Sequence, residues 1–310
     1  MTKQEEIQRL KEEKDAVILA HFYVEPEIQE AADYIGDSFK LSRIAKELPN
    51  QTIVFCGVSF MGESGKLLSP GKRILMPAPD ADCPMAHMVT KEEIERAREQ
   101  YPDLAVVCYV NSTAEIKSWS DVCVTSANAV QIVRNLPNRN ILFIPDRNLG
   151  RFVAQQVPEK NVILVNGFCP IHEAMKAQEI EDLKRAHPKA LVLAHPECNE
   201  GVLAAADYIG STSGILAYAK ESGGEEFIIG TETGVLHELK KQNPDKRFFV
   251  PATPPVCHDM KKITLDQIIH VLKTGEHGAD VDGQYATLAG ASLERMLMLA
   301  GRTEGTEAFR

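Results

Sequence analysis

Residues 17–38 read VILAHFYVEPEIQEAADYIGDS, and residues 191–212 read LVLAHPECNEGVLAAADYIGST, a gapless match at a shift of 174. A more diverged copy, VVCYVNSTAEIKSWSDVCVTS, occupies residues 106–126 at a shift of 88 from the first. His21, Tyr109 and His195 are equivalent in this alignment, and a cysteine follows each at 62 (Cys83), 60 (Cys169) and 62 (Cys257) residues. Repetition at a long, fixed period sets the architecture before any local feature does. Three equivalent units can close around a pseudo-threefold axis, where equivalent residues meet. Three thiols meeting at one point form a candidate metal site.

Working outward, each copy has the same plan. A β-branched run opens it at 16–20, 104–108 and 190–194, and further apolar runs follow at 52–55, 141–144 and 227–229, then at 73–76, 161–165 and 247–250. Helical stretches separate these runs, which predicts parallel βαβ units covered by helices. The fold expected is α/β: three pseudo-threefold-related α/β/α units with parallel sheets around a central cavity. The units are expected at 1–103 with an N-terminal helix, 104–189, and 190–310 with a C-terminal tail. The charged helices at 90–102, 177–187 and 264–274 follow the cysteines and leave each boundary open by one helix. In parallel sheets ligands bind beyond the carboxyl ends of the strands. That edge is where the loops after the first strands and the cysteine loops both emerge.

Composition narrows the function. The chain has 310 residues, 44% of them hydrophobic and 25% charged, with a net charge of −10. That charge argues against a general nucleic-acid surface but permits a local pocket for an anion. No apolar run reaches the length of a membrane helix. The opening MTKQEEIQRLKEEKD is charged and amphipathic rather than a secretory signal, so a cytoplasmic location is expected. Seven cysteines without an export signal argue against a disulfide framework. Cys56, Cys108, Cys123 and Cys198 align with small or apolar residues in the sister copies and read as packing residues. Only Cys83, Cys169 and Cys257 are cysteine in every unit.

Those three lie too far apart in sequence for a local zinc knuckle. Three thiolates without a fourth symmetric ligand suit a 4Fe–4S cluster with one open iron, which acts as a Lewis acid. Zinc held by three cysteines and His258 or His172 is the competing reading, and three buried packing cysteines the plainest. Hydroxyls stand at equivalent helix heads: Ser38, Thr125-Ser126 and Ser211-Thr212. Such residues are ordinary N-caps, and a helix N-terminus is also an anion site. His21 and Tyr23, Tyr109 and Asn111, and His195 and Glu197 fall two apart on segments leaving a strand, so each pair faces one way. A lone histidine there is usually structural; two at equivalent positions facing a metal candidate point to function. Glu197 departs from its repeat partners and is where asymmetric proton chemistry is expected. The loop Gly230-Thr-Glu-Thr-Gly234 is either a ligand contact or a tight turn.

Together His21-Phe-Tyr23, Asp33-Tyr-Ile-Gly-Asp-Ser38, Cys83-Pro, Tyr109-Val-Asn111, Thr125-Ser126, Cys169-Pro-Ile-His172, His195-Pro-Glu197, Gly210-Ser-Thr212, the Gly230–Gly234 loop and Cys257 resemble the quinolinate synthase family over nearly the whole chain. The resemblance implies an oxygen-sensitive 4Fe–4S cluster on Cys83, Cys169 and Cys257, in an enzyme of de novo NAD (pyridine nucleotide) biosynthesis. The implied reaction condenses iminoaspartate with dihydroxyacetone phosphate to quinolinate, phosphate and two waters. It further implies that Ser126, Ser211 and Thr212 hold phosphate or carboxylate groups, and that His21 and Ser38 hold another carboxylate. Tyr23, Tyr109, Asn111, His195 and Glu197 then position intermediates and move protons, with Tyr23 and Glu197 the chief proton carriers. An aspartate oxidase or dehydrogenase supplying iminoaspartate is the implied functional partner. Two other classes share the three-cysteine feature: a redox or iron sensor without turnover, and a zinc-dependent hydrolase.

Overall fold

Three four-stranded, wholly parallel sheets make up the computed structural model, which describes residues 2–301. The first contains β1 (Ala16–His21), β2 (Tyr34–Gly36), β3 (Thr52–Cys56) and β4 (Arg73–Leu75), in the order β2-β1-β3-β4. The second contains β5 (Leu104–Tyr109), β6 (Val122–Val124), β7 (Asn140–Ile144) and β8 (Asn161–Leu164), in the order β6-β5-β7-β8. The third contains β9 (Leu191–Ala194), β10 (Tyr208–Ile209), β11 (Glu226–Gly230) and β12 (Arg247–Phe249), in the order β10-β9-β11-β12. The sequence repeat is therefore a repeat of topology, in the α/β class expected. β1 and β5 are buried along their whole length, so they read as continuous apolar runs rather than alternating ones.

The edge strands β2, β6 and β10 were not separate elements in the sequence reading. Each follows an aspartate whose carboxylate substitutes for a ladder acceptor. Asp33 Oδ2 accepts the Ile18 N–H at 2.8 Å, Asp121 Oδ2 the Val106 N–H at 2.7 Å, and Asp207 Oδ2 the Val192 N–H at 2.8 Å. A basic residue of the preceding helix reaches the same aspartate: Lys11 at 2.6 Å, Arg98 at 3.2 Å and Lys184 at 3.0 Å. The helices Lys91–Gln100 and Ala177–Ala186 thus attach to the unit that follows them. A lysine in the Pro-x-Lys turn before β4, β8 and β12 caps a neighbouring helix. Lys72 donates to the Ala45 carbonyl (2.8 Å), Lys160 to that of Leu136 and Lys246 to that of Ala219 (2.6 Å). A cation on the final carbonyls of a helix also meets the negative end of its dipole.

The units are knitted together. The helix Leu265–Thr274 packs on the first helix, Lys3–Lys14, and residues 277–279 add to the edge of β4 through bonds from Met76 N–H to His277 O (2.9 Å) and Ala279 N–H to Ile74 O (2.7 Å). The last helix, Gly283–Gly301, lies on β6 and on the helices Ala114–Ser118 and Ser59–Leu68, so it closes over the first two units. The rest of the expected C-terminal tail, 302–310, lies outside the described residues. At Gly234 a Cβ would stand 2.7 Å from Phe22 O and Tyr23 Cα. Only glycine permits the third unit to approach the first so closely. No helix among the described residues is long and apolar enough to cross a membrane.

Candidate functional site

The carboxyl ends of the three sheets converge on one cavity of about 150 Å³. His21 and Tyr109 come from the last positions of β1 and β5, and Tyr23, Asn111, His195 and Glu197 from the loops after β1, β5 and β9. Ser38, Ser126 and Thr212 reach the wall from the segments after β2, β6 and β10. Cys83, Cys169 and Cys257 complete it, one from each unit. Ser211 alone of the expected residues is not on the wall. Its Oγ accepts the Gly214 N–H at 3.1 Å, so it is occupied as the N-cap of the helix Thr212–Glu221. The adjacent Thr212 takes the cavity position.

A hydrogen-bonded chain runs through the buried wall. The Tyr23 hydroxyl lies 2.9 Å from Thr212 Oγ1 and 2.8 Å from Thr231 Oγ1. Thr231 Oγ1 is 2.9 Å from His172 Nε2, and His172 Nδ1 is 3.0 Å from Glu197 Oε2. Glu197 Oε2 is in turn 3.2 Å from His195 Nδ1, whose Nε2 is 3.1 Å from Ser126 Oγ. The path joins residues of all three units. Thr231 and His172 were only marginal in the sequence: one sat in a loop read as contact or turn, the other was a possible zinc ligand. Asp82 also lines the wall and was not singled out, whereas Asp37 and Glu232 entered only as members of the Asp33–Ser38 motif and the Gly230–Gly234 loop. For Glu232 a signal existed, since Asp146 occupies the equivalent place in the second unit.

Burial shapes the charges. It opposes ionisation of Glu197, but the imidazoles of His195 and His172 outweigh it and hold the carboxyl below the ordinary range. Burial lowers His195 too, against the pull of Glu197. His21 falls to about 4, chiefly by burial, and is a neutral imidazole near pH 7. Tyr23 and Tyr109 are pushed well above 10.0, first by burial and then by the Glu197 charge, so both are neutral phenols able to donate. The site therefore sets the Glu197 anion beside neutral donors.

The seven free cysteines divide as the repeat suggested. Cys56, Cys108, Cys123 and Cys198 are fully buried, whereas Cys83, Cys169 and Cys257 are partly exposed toward the cavity. Burial raises Cys83 to about 12, and Cys169 and Cys257 also stand above the ordinary thiol value. Thiols in that condition become thiolates when a cation stands among them. Cys169, His172 and Glu197 also bring ligand atoms within 4.8 Å of one another, and Glu197 Oε1 is buried without a hydrogen-bond partner among the described residues. The donor set fits a thiolate-held metal centre with oxygen and nitrogen donors beside it.

Comparison with known proteins identifies the family. The family model described as Quinolinate synthetase A protein (NadA) matches residues 5–298. The quinolinate synthase of Caldicellulosiruptor bescii is 50% identical over 292 residues, covering 94% of this chain and 96% of its own. That of Clostridioides difficile is 49% identical over 295 residues, covering 95% and 97%. Quinolinate synthase 2 of Methanosarcina acetivorans is 48% identical over 297 residues, covering 96% of each chain. With near-complete coverage on both sides, this chain belongs to the quinolinate synthetase A protein family.

Proposed function

We propose that this chain is a quinolinate synthase that condenses iminoaspartate with dihydroxyacetone phosphate, releasing quinolinate, phosphate and two waters. The observation that carries the reading is that Cys83, Cys169 and Cys257, one per unit, line a single cavity whose wall also carries the Tyr23–Glu197 chain. These cysteines would hold a 4Fe–4S cluster. Bound there, such a cluster supplies one open iron, a Lewis acid toward a substrate hydroxyl, nitrogen or carboxylate.

The chain's own residues account for binding and proton movement. Ser38 and Thr212 open the helices Ser38–Glu47 and Thr212–Glu221, whose N-termini favour phosphate or carboxylate groups. Ser126 faces the same space beside His195. Neutral His21 offers a hydrogen bond without adding charge. Tyr23, as a neutral phenol, donates a proton to a leaving hydroxyl and is replenished through Thr231 and His172. Glu197, anionic at rest, accepts a proton at Oε1, the oxygen with no partner among the described residues. Tyr109 and Asn111 orient the intermediate from the second unit. Ser211 serves as the cap that holds Thr212 in place. The narrow cavity keeps bulk water away from hydrolysable iminoaspartate, which an aspartate oxidase or dehydrogenase would supply. Unpaired thiols and an oxygen-sensitive cluster suit a reducing, cytoplasmic compartment.

The clustering of Cys169, His172 and Glu197 within 4.8 Å favours a second reading, a zinc centre of hydrolytic type. An anaerobic assay separates the two, with iminoaspartate generated in situ by an aspartate oxidase in the presence of dihydroxyacetone phosphate. Quinolinate and phosphate in equal amounts support the synthase. Cluster-loaded protein that forms no quinolinate would overturn it.

A further inference from the structure

We infer that Asp146 and Glu232 are positioning residues for the metal-binding thiolates, each bracing one cysteine loop through that cysteine's own backbone N–H. The inference deepens the cluster reading above and rests on it. In every unit the loop after the second long strand runs beside the cysteine loop, tied by an equivalent backbone bond. Ser59 N–H donates to Ala81 O at 2.9 Å, Arg147 to Gly167 at 2.8 Å, and Thr233 to Pro255 at 3.0 Å. The acceptor stands two residues before the cysteine each time. The approach in the second unit is tight enough that a Cβ on Gly167 would lie 2.3 Å from Pro145 O.

One residue before these donors stand Val58, Asp146 and Glu232. Asp146 Oδ2 accepts the Cys169 N–H at 3.1 Å, and Glu232 Oε1 accepts the Cys257 N–H at 3.1 Å. The second oxygen of each carboxylate is anchored on its own loop, by Leu149 N–H at 2.8 Å and Gly234 N–H at 2.6 Å. Each side chain is thus a two-ended bracket between backbone segments. Val58 has no acceptor, and the first unit reaches the same result from the other side. Asp82 Oδ1 accepts the Cys83 N–H at 2.8 Å and is itself held by the Ser59 hydroxyl. Different sequence solutions bring a carboxylate oxygen to the equivalent atom in all three units.

Packing alone does not account for this. Asp146 and Glu232 are 0% and 1% exposed, and burying a carboxylate is costly unless its bonds are needed. Glu232 has Lys261 3.2 Å away, whereas Asp146 forms no ion pair among the described residues. What the bonds achieve is a fixed cysteine backbone, and so a fixed thiolate direction. Outer groups that orient metal ligands act in this way, and their loss typically costs about 10- to 100-fold in metal affinity.

The test reads iron and sulfide per chain, the rate of iron release to a chelator, and the electron paramagnetic resonance spectrum of the reduced cluster. It uses anaerobically reconstituted full chain, with circular dichroism as the fold control. Asp146→Ala and Glu232→Ala should release iron about tenfold faster or more, with an altered spectrum. Asp146→Asn and Glu232→Gln retain one acceptor oxygen and should recover much of the loss. Asp82→Ala tests the same device at a more exposed side chain, where folding is least at risk. Release at the wild-type rate with an unchanged spectrum in the folded alanine variants would overturn the inference. A wild-type chain that takes up no iron and sulfide fails the cluster reading before any variant is compared. If it holds zinc instead, zinc release from the same variants decides the bracing; if it holds no metal, both readings fall.

Discussion

Tyr23 places its hydroxyl between Thr212 and Thr231, at the end of a path that reaches Glu197 through His172. Tyr23→Phe keeps the ring and removes the proton. Quinolinate formation should then fall by about 100-fold or more with iron content unchanged; an unaltered rate would take Tyr23 out of proton transfer. His21 has its own signature. Its folded pKa of about 4 lies below the ordinary 6.5, so between those values the unfolded chain binds a proton that the folded chain does not. The stability His21 contributes is complete above pH 6.5 and is lost as pH falls toward 4. Denaturant unfolding followed from pH 7 to pH 4 should show this decline, and His21→Asn should make it shallower. At this scale the three cysteines and the residue pairs on the first strands were legible because the repeat marks them. Thr231 and His172 were not, because they join the path only when loops of the second and third units meet in space.

The elements hold together through aspartates that substitute for ladder acceptors and lysines that cap helices. Asp207 accepts the N–H of fully buried Val192 and pairs with Lys184 of the preceding helix. Asp207→Ala strands that N–H, and equilibrium unfolding in urea should show a loss of about 1–3 kcal/mol. No change would mean that water or the helix replaces the acceptor. The long strands were readable from their apolar runs, and parallel pairing from the alternation with helices. The strands β2, β6 and β10 were hidden because they lie inside the repeated Asp-Tyr-Ile-Gly segment and its counterpart, to which the sequence assigned no element of their own. The side on which the charged helices pack was also hidden in one dimension. Arg98–Asp121 and Lys184–Asp207 decide it, and each pair spans more than 20 residues.

At the scale of the molecule, no single unit contains the site. Each sheet contributes one cysteine and one pair of polar residues, and the hydrogen-bonded path crosses all three units. Gly234 against Tyr23, residues 277–279 on β4 and the last helix over the first two units hold those contributions in register. The repeat made legible that three units turn equivalent cysteines toward one cavity. The path of the last helix was not legible, since no sister copy has a counterpart to it. The central claim is that the three equivalent thiols jointly hold an iron–sulfur cluster. Iron, acid-labile sulfide and zinc should be measured per chain after anaerobic purification, on the wild type and on Cys83→Ser, Cys169→Ser and Cys257→Ser. The account predicts about four irons and four sulfides in the wild type, with each substitution sharply reducing both. One zinc with no sulfide, or a wild-type cluster content that survives any of the three substitutions, would contradict it.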